Sequence, residues 1–298
     1  MSTVISAVKL LDADGIILAA KGKTGTGSSK TTVNINPDKV VAGVSYFRMR
    51  LYGKLMSLDG RIMHSAEKEL NEAHCDIVDS ITRLIEDMLH NCYSLSAIGL
   101  SMAMSDNTSL AKVLALRFCV PVHISDSVGA LAMHQRYIVK KNNANIAVLY
   151  IGRHIRCAKV AEWCENIELG NLLSPIISAQ KGRLIYDEVL SVDVVKQRMQ
   201  SKYGKADYMF EAAVMEPEIT VYSKQLQYAI GELILLLDRT VKPSTIIVAG
   251  DYVTKDLVDG GIDSLGDTVR AEVICTGNGF REITEGACCI GLNGFLYY

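Results

Sequence analysis

Apolar segments of strand length alternate with helix-length segments along most of this chain, and the pattern occurs twice. Runs such as VVAGV (40–44) and LSAIGLS (95–101) precede segments of helical periodicity, and a second set begins with NIAVLYIG (145–152) and includes STIIVAGD (244–251). Strands that alternate with helices build units in which helices cover a buried sheet. We therefore predict an α/β fold with two such units in the 298 residues.

The same patterns place individual elements. We predict a long helix over residues 64–92, a helix over 107–119, a strand at 120–127 that leads into another helix, and a last helix over 285–298. Helices over about 181–240 follow the first strands of the second unit. No element is predicted between residues 251 and 284.

The glycine-rich segment KGKTGTGSSKTTVNINP (21–37) contains Gly22-Lys23-Thr24, which resembles the end of a phosphate-binding loop. Such a loop needs a further glycine five residues before Gly22, where the chain has Ile17, and it must lead into a helix. The residues that follow alternate in polarity and end at Pro37, which indicates a strand. The segment is therefore predicted to be a hairpin tip.

A helix is predicted over residues 2–13, and two strands flank the basic tip that follows it. Helix, strand, basic tip and strand are the recognition helix and wing of a winged helix-turn-helix; the preceding helices of that motif are missing. In this motif the helix enters the major groove and the wing contacts phosphates. The predicted DNA-binding residues are Ser2, Thr3, Ser6, Lys9, Lys21, Lys23 and Lys30.

Charge is distributed unevenly along the chain. Residues 1–61 contain nine basic and four acidic side chains, a net charge of +5, although the whole chain has a net charge of −2. This asymmetry indicates either a polyanion contact near the N-terminus or uneven surface charge without function. No membrane span or signal peptide is predicted. The eight cysteines form no CxxC pair, which favours reduced thiols in a cytoplasmic protein and no metal site.

With these elements placed, the chain resembles the ROK family of bacterial sugar-responsive repressors and sugar kinases, as a divergent member of the repressor branch. LLDADGII, the basic tip and INPDKVVAGV are similar to the end of a ROK winged helix and its entry into the sugar-binding domain. The resemblance implies a two-lobed actin-like ATPase (ribonuclease H-like) fold preceded by a partial winged helix-turn-helix. The implied domains are a DNA-binding segment (1–38), an N-terminal lobe (39–123, closed by helix 285–298) and a C-terminal lobe (124–284).

Two phosphate-binding elements of the family are altered in this sequence. Residues 45–49, Ser-Tyr-Phe-Arg-Met, stand where the kinases have Asp-x-Gly-Gly-Thr, whose glycines let the backbone approach phosphate. The second element, residues 152–157, retains one glycine. Its Arg153 and Arg156 are either phosphate ligands or part of a solvated turn. We therefore expect no catalytic residue, no nucleotide cofactor and no kinase activity.

The sugar-binding residues are better retained. HISDSVGALA places Asp126 at the aspartate that accepts a proton from the sugar in the kinases, and Ser125 replaces an asparagine. NIELGNLL places Glu168 at a hydroxyl acceptor, and Asn171 replaces a histidine that often binds zinc. These four residues are the predicted effector site. Asp126 could instead be only a helix N-cap, and Glu168 only an exposed acid.

Three functions remain open from the sequence. The first is a homodimeric ROK-type transcriptional regulator that binds DNA through residues 1–38 and a sugar or sugar phosphate in the interlobe cleft. The second is a non-catalytic ligand-binding or scaffold protein that retains the fold. The third is a sugar kinase, which the altered phosphate elements disfavour because phosphoryl transfer depends on positioned phosphates and metal.

Overall fold

The computed structural model divides into two compact units, residues 1–125 with 287–298 and residues 126–286. The boundary near the C-terminus falls within one helix, between Gly286 and Ala287. The structure describes residues 2–23, 29–47, 49–70, 76–90, 93–102, 107–139, 145–160, 164–167, 186, 188–204, 217–266 and 269–297.

The first unit begins with a helix and a hairpin and continues as an α/β unit. Its elements are α1 (Ser2–Ala13), β1 (Ile17–Lys23), β2 (Ser29–Ile35), β3 (Lys39–Phe47), β4 (Arg50–Ser57), β5 (Ile62–Glu69), α2 (Ile77–Leu89), β6 (Ser94–Ser101), α3 (Asn107–Phe118) and β7 (Val122–Ser125). β1 and β2 pair with each other in antiparallel orientation. The larger sheet has the order β5-β4-β3-β6-β7 among the described strands, with β3, β6 and β7 parallel.

The second unit has a sheet of the same connectivity. Its elements are α4 (Ser127–Tyr137), β8 (Ile146–Ile151), β9 (Ile155–Val160), β10 (Cys164–Ile167), α5 (Val192–Tyr203), α6 (Pro217–Thr240), β11 (Thr245–Gly250), α7 (Lys255–Leu265), β12 (Glu272–Gly277) and the start of α8 (Phe280–Tyr297). The described strands have the order β10-β9-β8-β11-β12, and β8, β11 and β12 are parallel. Each unit therefore repeats one arrangement: a three-stranded antiparallel meander followed by two added parallel strands.

Apolar strand residues form the core of each unit. In the first unit, Val40, Ala42 and Val44 of β3 lie in a cluster with residues of α2, and in the second unit β8 and β11 are buried along their whole length. Helix α8 packs very closely on the first sheet, because a Cβ on Gly99 would lie 1.8 Å from the carbonyl oxygen of Ala287. Only glycine permits this approach of strand and helix backbones.

The structure confirms the mixed α/β architecture and corrects two predictions about elements. The helix predicted over residues 64–92 begins at Ile77, and residues 62–69 form β5, which pairs with β4. Asp76 caps α2, since its Oδ1 accepts hydrogen bonds from the backbone N–H groups of Val78 and Asp79. In addition, α7 and β12 occupy the region between 251 and 284, where no element was predicted.

Candidate functional site

Asp126 lies at the junction between β7 and α4. Its backbone is extended, and its Oδ1 accepts a hydrogen bond of 2.8 Å from the N–H of Gly129, so that it caps α4. The residues that follow, 128–135, are buried and anchor the helix in the second unit. The N-cap prediction for Asp126 is therefore confirmed, and the cap fixes the position of its carboxylate.

The other oxygen of Asp126 is held by an arginine. Nη1 of Arg156, on β9, donates a hydrogen bond to Oδ2 of Asp126 at 3.0 Å. The Arg156 side chain is 45% exposed and that of Asp126 is 19% exposed. Arg153, in the turn before β9, pairs through Nε with Asp193 at 3.0 Å. Both arginines that could have bound phosphate are therefore engaged with carboxylates. Each oxygen of the Asp126 carboxylate thus accepts one hydrogen bond, and each retains a further lone pair that could accept another.

Of the other three predicted effector residues, the structure describes only Ser125. Ser125 ends β7, is half-buried, and accepts a hydrogen bond from the N–H of Met102 through its carbonyl oxygen at 3.2 Å. Glu168 and Asn171 lie outside the residues that the structure describes. Arg156 was not predicted to contact Asp126, because the two are 30 positions apart and meet only through the tertiary fold.

Three serines lie side by side at the carboxyl ends of the parallel strands of the first unit. The strand register pairs Ser45 of β3 with Ser101 of β6, and Ser101 with Ser125 of β7. Ser45 and Ser101 are 3% and 1% exposed. Only Ser125 was among the predicted site residues. The sequence does contain a signal for the other two, since Ser45 and Ser101 each directly follow an apolar run, VVAGV and AIGL.

Burial affects the ionisation of groups near these residues. The pKa of His123, two residues before Ser125 on β7, is lowered by desolvation. The pKa of the Cys157 thiol, next to Arg156 on β9, is raised for the same physical reason. Neither side chain is therefore charged near neutral pH.

The predicted DNA-binding residues lie on α1 and on the hairpin. Thr3, Ser6 and Lys9 are exposed on α1, and helical spacing places positions 2, 6 and 9 on one face. Lys21 and Lys23 belong to β1. Lys30 belongs to β2 and pairs with Gly22, the residue between those two lysines. The tip, residues 24–28, lies outside the described residues.

One hydrogen bond joins the hairpin to α1, and a second joins the residue after the hairpin to the turn before it. Oδ1 of Asp12 accepts from the N–H of Ala19 at 3.1 Å, and Nδ2 of Asn36 donates to the carbonyl oxygen of Gly15 at 2.8 Å. Helix, strand and returning strand are therefore present in the predicted order, and the identity of this segment as a winged helix remains a prediction. Val4 and Leu10 of α1 are 69% and 65% exposed.

Among the residues that the structure describes, His, Cys, Asp and Glu side chains form no group of three or more that could hold a metal ion. None of the described helices combines the length and the hydropathy that a membrane crossing requires.

Solved structures of similar fold identify the architecture. A ROK family transcriptional regulator, a homologue of the E. coli MLC protein, is 13% identical, matches 99% of this chain and 89% of its own, and has a TM-score of 0.72. This chain has the fold of ROK-family proteins. A Streptococcus pneumoniae ROK protein in complex with sucrose shares the ROK fold at 14% identity over 87% of this chain and 100% of that chain, with a TM-score of 0.65.

A kinase with the ROK fold is also similar. The Streptomyces griseus ROK glucokinase, in complex with glucose and AMPPNP, is 15% identical over 86% of this chain and 100% of its own, with a TM-score of 0.63. Neither a family model nor a curated protein matches the sequence. At these identities the likeness establishes the ROK fold, and the choice between regulator and kinase depends on the residues themselves.

Proposed function

We propose that this chain is a ROK-type transcriptional regulator, which binds DNA through residues 1–38 and a sugar-like effector near Asp126, without kinase activity. The effector is a sugar or sugar phosphate, and Ser125, Asp126, Glu168 and Asn171 are its proposed contacts. The regulator acts as a homodimer in the cytoplasm. The alternative is a non-catalytic ligand-binding or scaffold protein that has the same fold and no DNA-binding activity.

The observation that carries this proposal is the helix and hairpin that precede β3. The regulator neighbour matches 99% of the chain, whereas the glucokinase and the sucrose-bound protein match 86–87%. The difference, 12–13% of 298 residues, is close to the 38 residues before Lys39. A helix followed by a basic hairpin is also an arrangement that reads DNA in the major groove and contacts its phosphates.

The state of the kinase residues supports the loss of phosphoryl transfer. Phe47 stands where the kinases have the first of the glycines that let the backbone approach phosphate, next to Tyr46, and residues 39–47 form the regular strand β3. One oxygen of the Asp126 carboxylate accepts from the Gly129 N–H, and the other accepts from Arg156. The loss of the phosphate elements is the stronger argument, because phosphoryl transfer depends almost entirely on positioned phosphates and metal.

DNA binding by the full chain tests the proposal. We would measure the affinity for duplexes from the neighbourhood of the protein's own gene at several salt concentrations, and compare the Lys21→Gln/Lys23→Gln/Lys30→Gln variant. Each lost phosphate contact reduces the magnitude of the slope of log affinity against log salt by about 0.9. The variant loses three such contacts per DNA-binding segment, so the magnitude of its slope should be smaller by about 3 per segment.

A matched variant, Lys112→Gln/Lys224→Gln/Lys255→Gln, removes the same charge from exposed helical positions elsewhere. It should keep the slope of the original chain. Equal losses in both variants would show non-specific attraction and would contradict a role for the hairpin. Absence of DNA binding at low salt would favour the alternative of a ligand-binding or scaffold protein.

A further inference from the structure

The dipeptide Asn-Gly occurs twice in the sequence, at Asn278-Gly279 and at Asn293-Gly294. Asparagine is a thermolabile residue. In Asn-Gly the backbone nitrogen of glycine can attack the side-chain amide carbon of asparagine, because glycine has no side chain that obstructs the approach. The structure places the two copies differently: the first lies in the turn between β12 and α8, and the second lies inside α8. They should therefore differ in reactivity.

The amide of Asn278 is accessible and polarised. The residue is exposed, and its Oδ1 accepts a hydrogen bond from the backbone N–H of Phe280 at 3.4 Å. When a nucleophile adds to the amide carbon, negative charge develops on that oxygen, and a hydrogen-bond donor aimed at it stabilises the charge. The Phe280 N–H is such a donor, so the turn favours attack on the Asn278 side chain.

The two glycine nitrogens are held with different strength. The N–H of Gly279 donates to the carbonyl oxygen of Thr276 at 3.3 Å, which is long for a backbone hydrogen bond. The N–H of Gly294 lies in the regular hydrogen-bonding pattern of α8. This part of α8 also packs tightly, because a Cβ on Gly294 would overlap the ring of His123. Attack by the Gly294 nitrogen therefore requires α8 to open, whereas attack by the Gly279 nitrogen requires only a weak turn bond to break.

We propose that Asn278 is a site of spontaneous deamidation. The Gly279 nitrogen gives its proton to water and bonds to Cγ of Asn278, the bond from Cγ to Nδ2 breaks, and ammonia leaves. The product is a cyclic succinimide. Water then adds to one of the two ring carbonyl carbons and opens the ring, which gives aspartate or isoaspartate at position 278. The net reaction consumes one water and releases one ammonia, and it needs no oxidant or reductant.

The two products change the start of α8 in different ways. Aspartate places a negative charge beside the N–H of Phe280, which a helix N-terminus favours. Isoaspartate routes the main chain through the former side chain and lengthens it by one methylene group before Gly279. That glycine is buried, and a Cβ on it would lie 3.3 Å from Leu131 and 3.5 Å from Ala249, so the lengthened chain has little room. The isoaspartate form should therefore melt at a lower temperature than the aspartate form.

Peptide mass spectrometry of the full chain during incubation at neutral pH tests the proposal. Trypsin cleaves after Arg270 and Arg281, so that peptides 271–281 and 282–298 each contain one asparagine. The first peptide should gain one mass unit at a rate at least about tenfold higher than the second, whose reaction requires helix opening. A sample digested before incubation corrects for reaction during digestion. Asn278→Gln should abolish the gain in peptide 271–281, because glutamine would have to form a larger ring.

A parallel incubation in urea shows whether the fold is responsible. In the unfolded chain the two asparagines should react at equal rates, because both are then followed by an unconstrained glycine. The proposal is overturned if the two peptides react equally in the folded chain, or if peptide 271–281 reacts only in urea, since the fold then protects Asn278. The aspartate and isoaspartate forms are separated chromatographically and melted. Equal melting temperatures for the two forms would overturn the proposed effect on α8.

Discussion

The Asp126 carboxylate uses its two oxygens for different interactions. One oxygen caps α4 through Gly129, and the other pairs with Arg156. An N-cap typically stabilises a protein by about 1 kcal/mol, whereas a partly exposed ion pair contributes between about 0 and 1 kcal/mol. The cap is therefore the larger structural contribution, and the ion pair is the interaction that a ligand could replace at low cost.

Substitutions of Asp126 separate these contributions. Asp126→Asn keeps an oxygen for the cap and loses only the charge, so it should lower the free energy of unfolding by less than about 1 kcal/mol. Asp126→Ala removes both interactions and should cost about 1 kcal/mol more than the asparagine variant. Urea unfolding measures both. If the two variants lose equal stability, the cap contributes nothing and this description of Asp126 is wrong.

For individual residues, the sequence predicts contacts between positions that are close together in the chain. The cap of α4 follows from Ser125-Asp126-Ser127 before an apolar run, because N-cap residues act on N–H groups two or three positions ahead. The pairing of Asp126 with Arg156 could not be predicted, since it depends on how β9 lies against α4. The alignment of the three strand-end serines likewise needs the register of β3, β6 and β7, which local patterns do not provide.

Helix α8 takes part in two very close backbone approaches. Gly99 of β6 lies against Ala287, and within the second unit a Cβ on Gly286 would lie 1.8 Å from the carbonyl oxygen of Ala130. Both obstacles are backbone atoms, so a rotamer change of a side chain cannot relieve them. The close approach also positions the carboxyl end of β6, where Ser101 lies.

Gly99→Ala should therefore destabilise the chain strongly. A Cβ that meets backbone forces β6 and α8 apart, and we expect a loss of about 3 kcal/mol or more in the free energy of unfolding. Gly266→Ala is the comparison, because Gly266 ends α7 with a φ of +63° and has open space around it. Gly266→Ala should lower the free energy of unfolding by about 1 kcal/mol, the cost of holding an alanine in the left-handed conformation. If denaturant unfolding gives equal losses of unfolding free energy for the two variants, the close contact between β6 and α8 is contradicted.

The errors in predicting elements have physical causes. Residues 64–69 contain Ala, Glu and Lys, which favour helices, but they form an edge strand whose exposure alternates along β5. Pairing with β4 outweighs this intrinsic preference. The helix α7 is short and contains two glycines, Gly260 and Gly261, which pack against Gln227 of α6, so its helical pattern is weak in isolation.

On the scale of the whole molecule, one topology occurs twice in the chain. Each sheet has a meander and two added parallel strands in the same order, which explains why the alternation of apolar runs and helices recurs in the sequence. The fold class could thus be predicted from periodicity and from the resemblance to ROK proteins. The function could not, because a ROK regulator and a ROK glucokinase both have this fold.

The uneven distribution of charge is also a property of the whole molecule. Residues 1–61 have a net charge of +5, and the remainder has a net charge of −7. A protein that approaches DNA with its acidic part is repelled, and one that approaches with its basic part is attracted. The helix and hairpin, residues 2–35, contain four lysines and two aspartates, a net charge of +2, so most of the +5 lies after this segment. The charge distribution therefore favours encounters through residues 1–61 as a whole, and it makes any DNA binding strongly dependent on salt.

The measurement that tests the central claim most directly is DNA affinity of the full chain during a titration with glucose or sucrose. A sugar-responsive regulator must change its DNA affinity when the sugar binds, and linkage requires DNA to change the sugar affinity by the same factor, typically about 5- to 150-fold. With Mg-ATP present, no sugar phosphate should form. DNA affinity that stays constant while a sugar is shown to bind, or conversion of that sugar into its phosphate, would contradict the account.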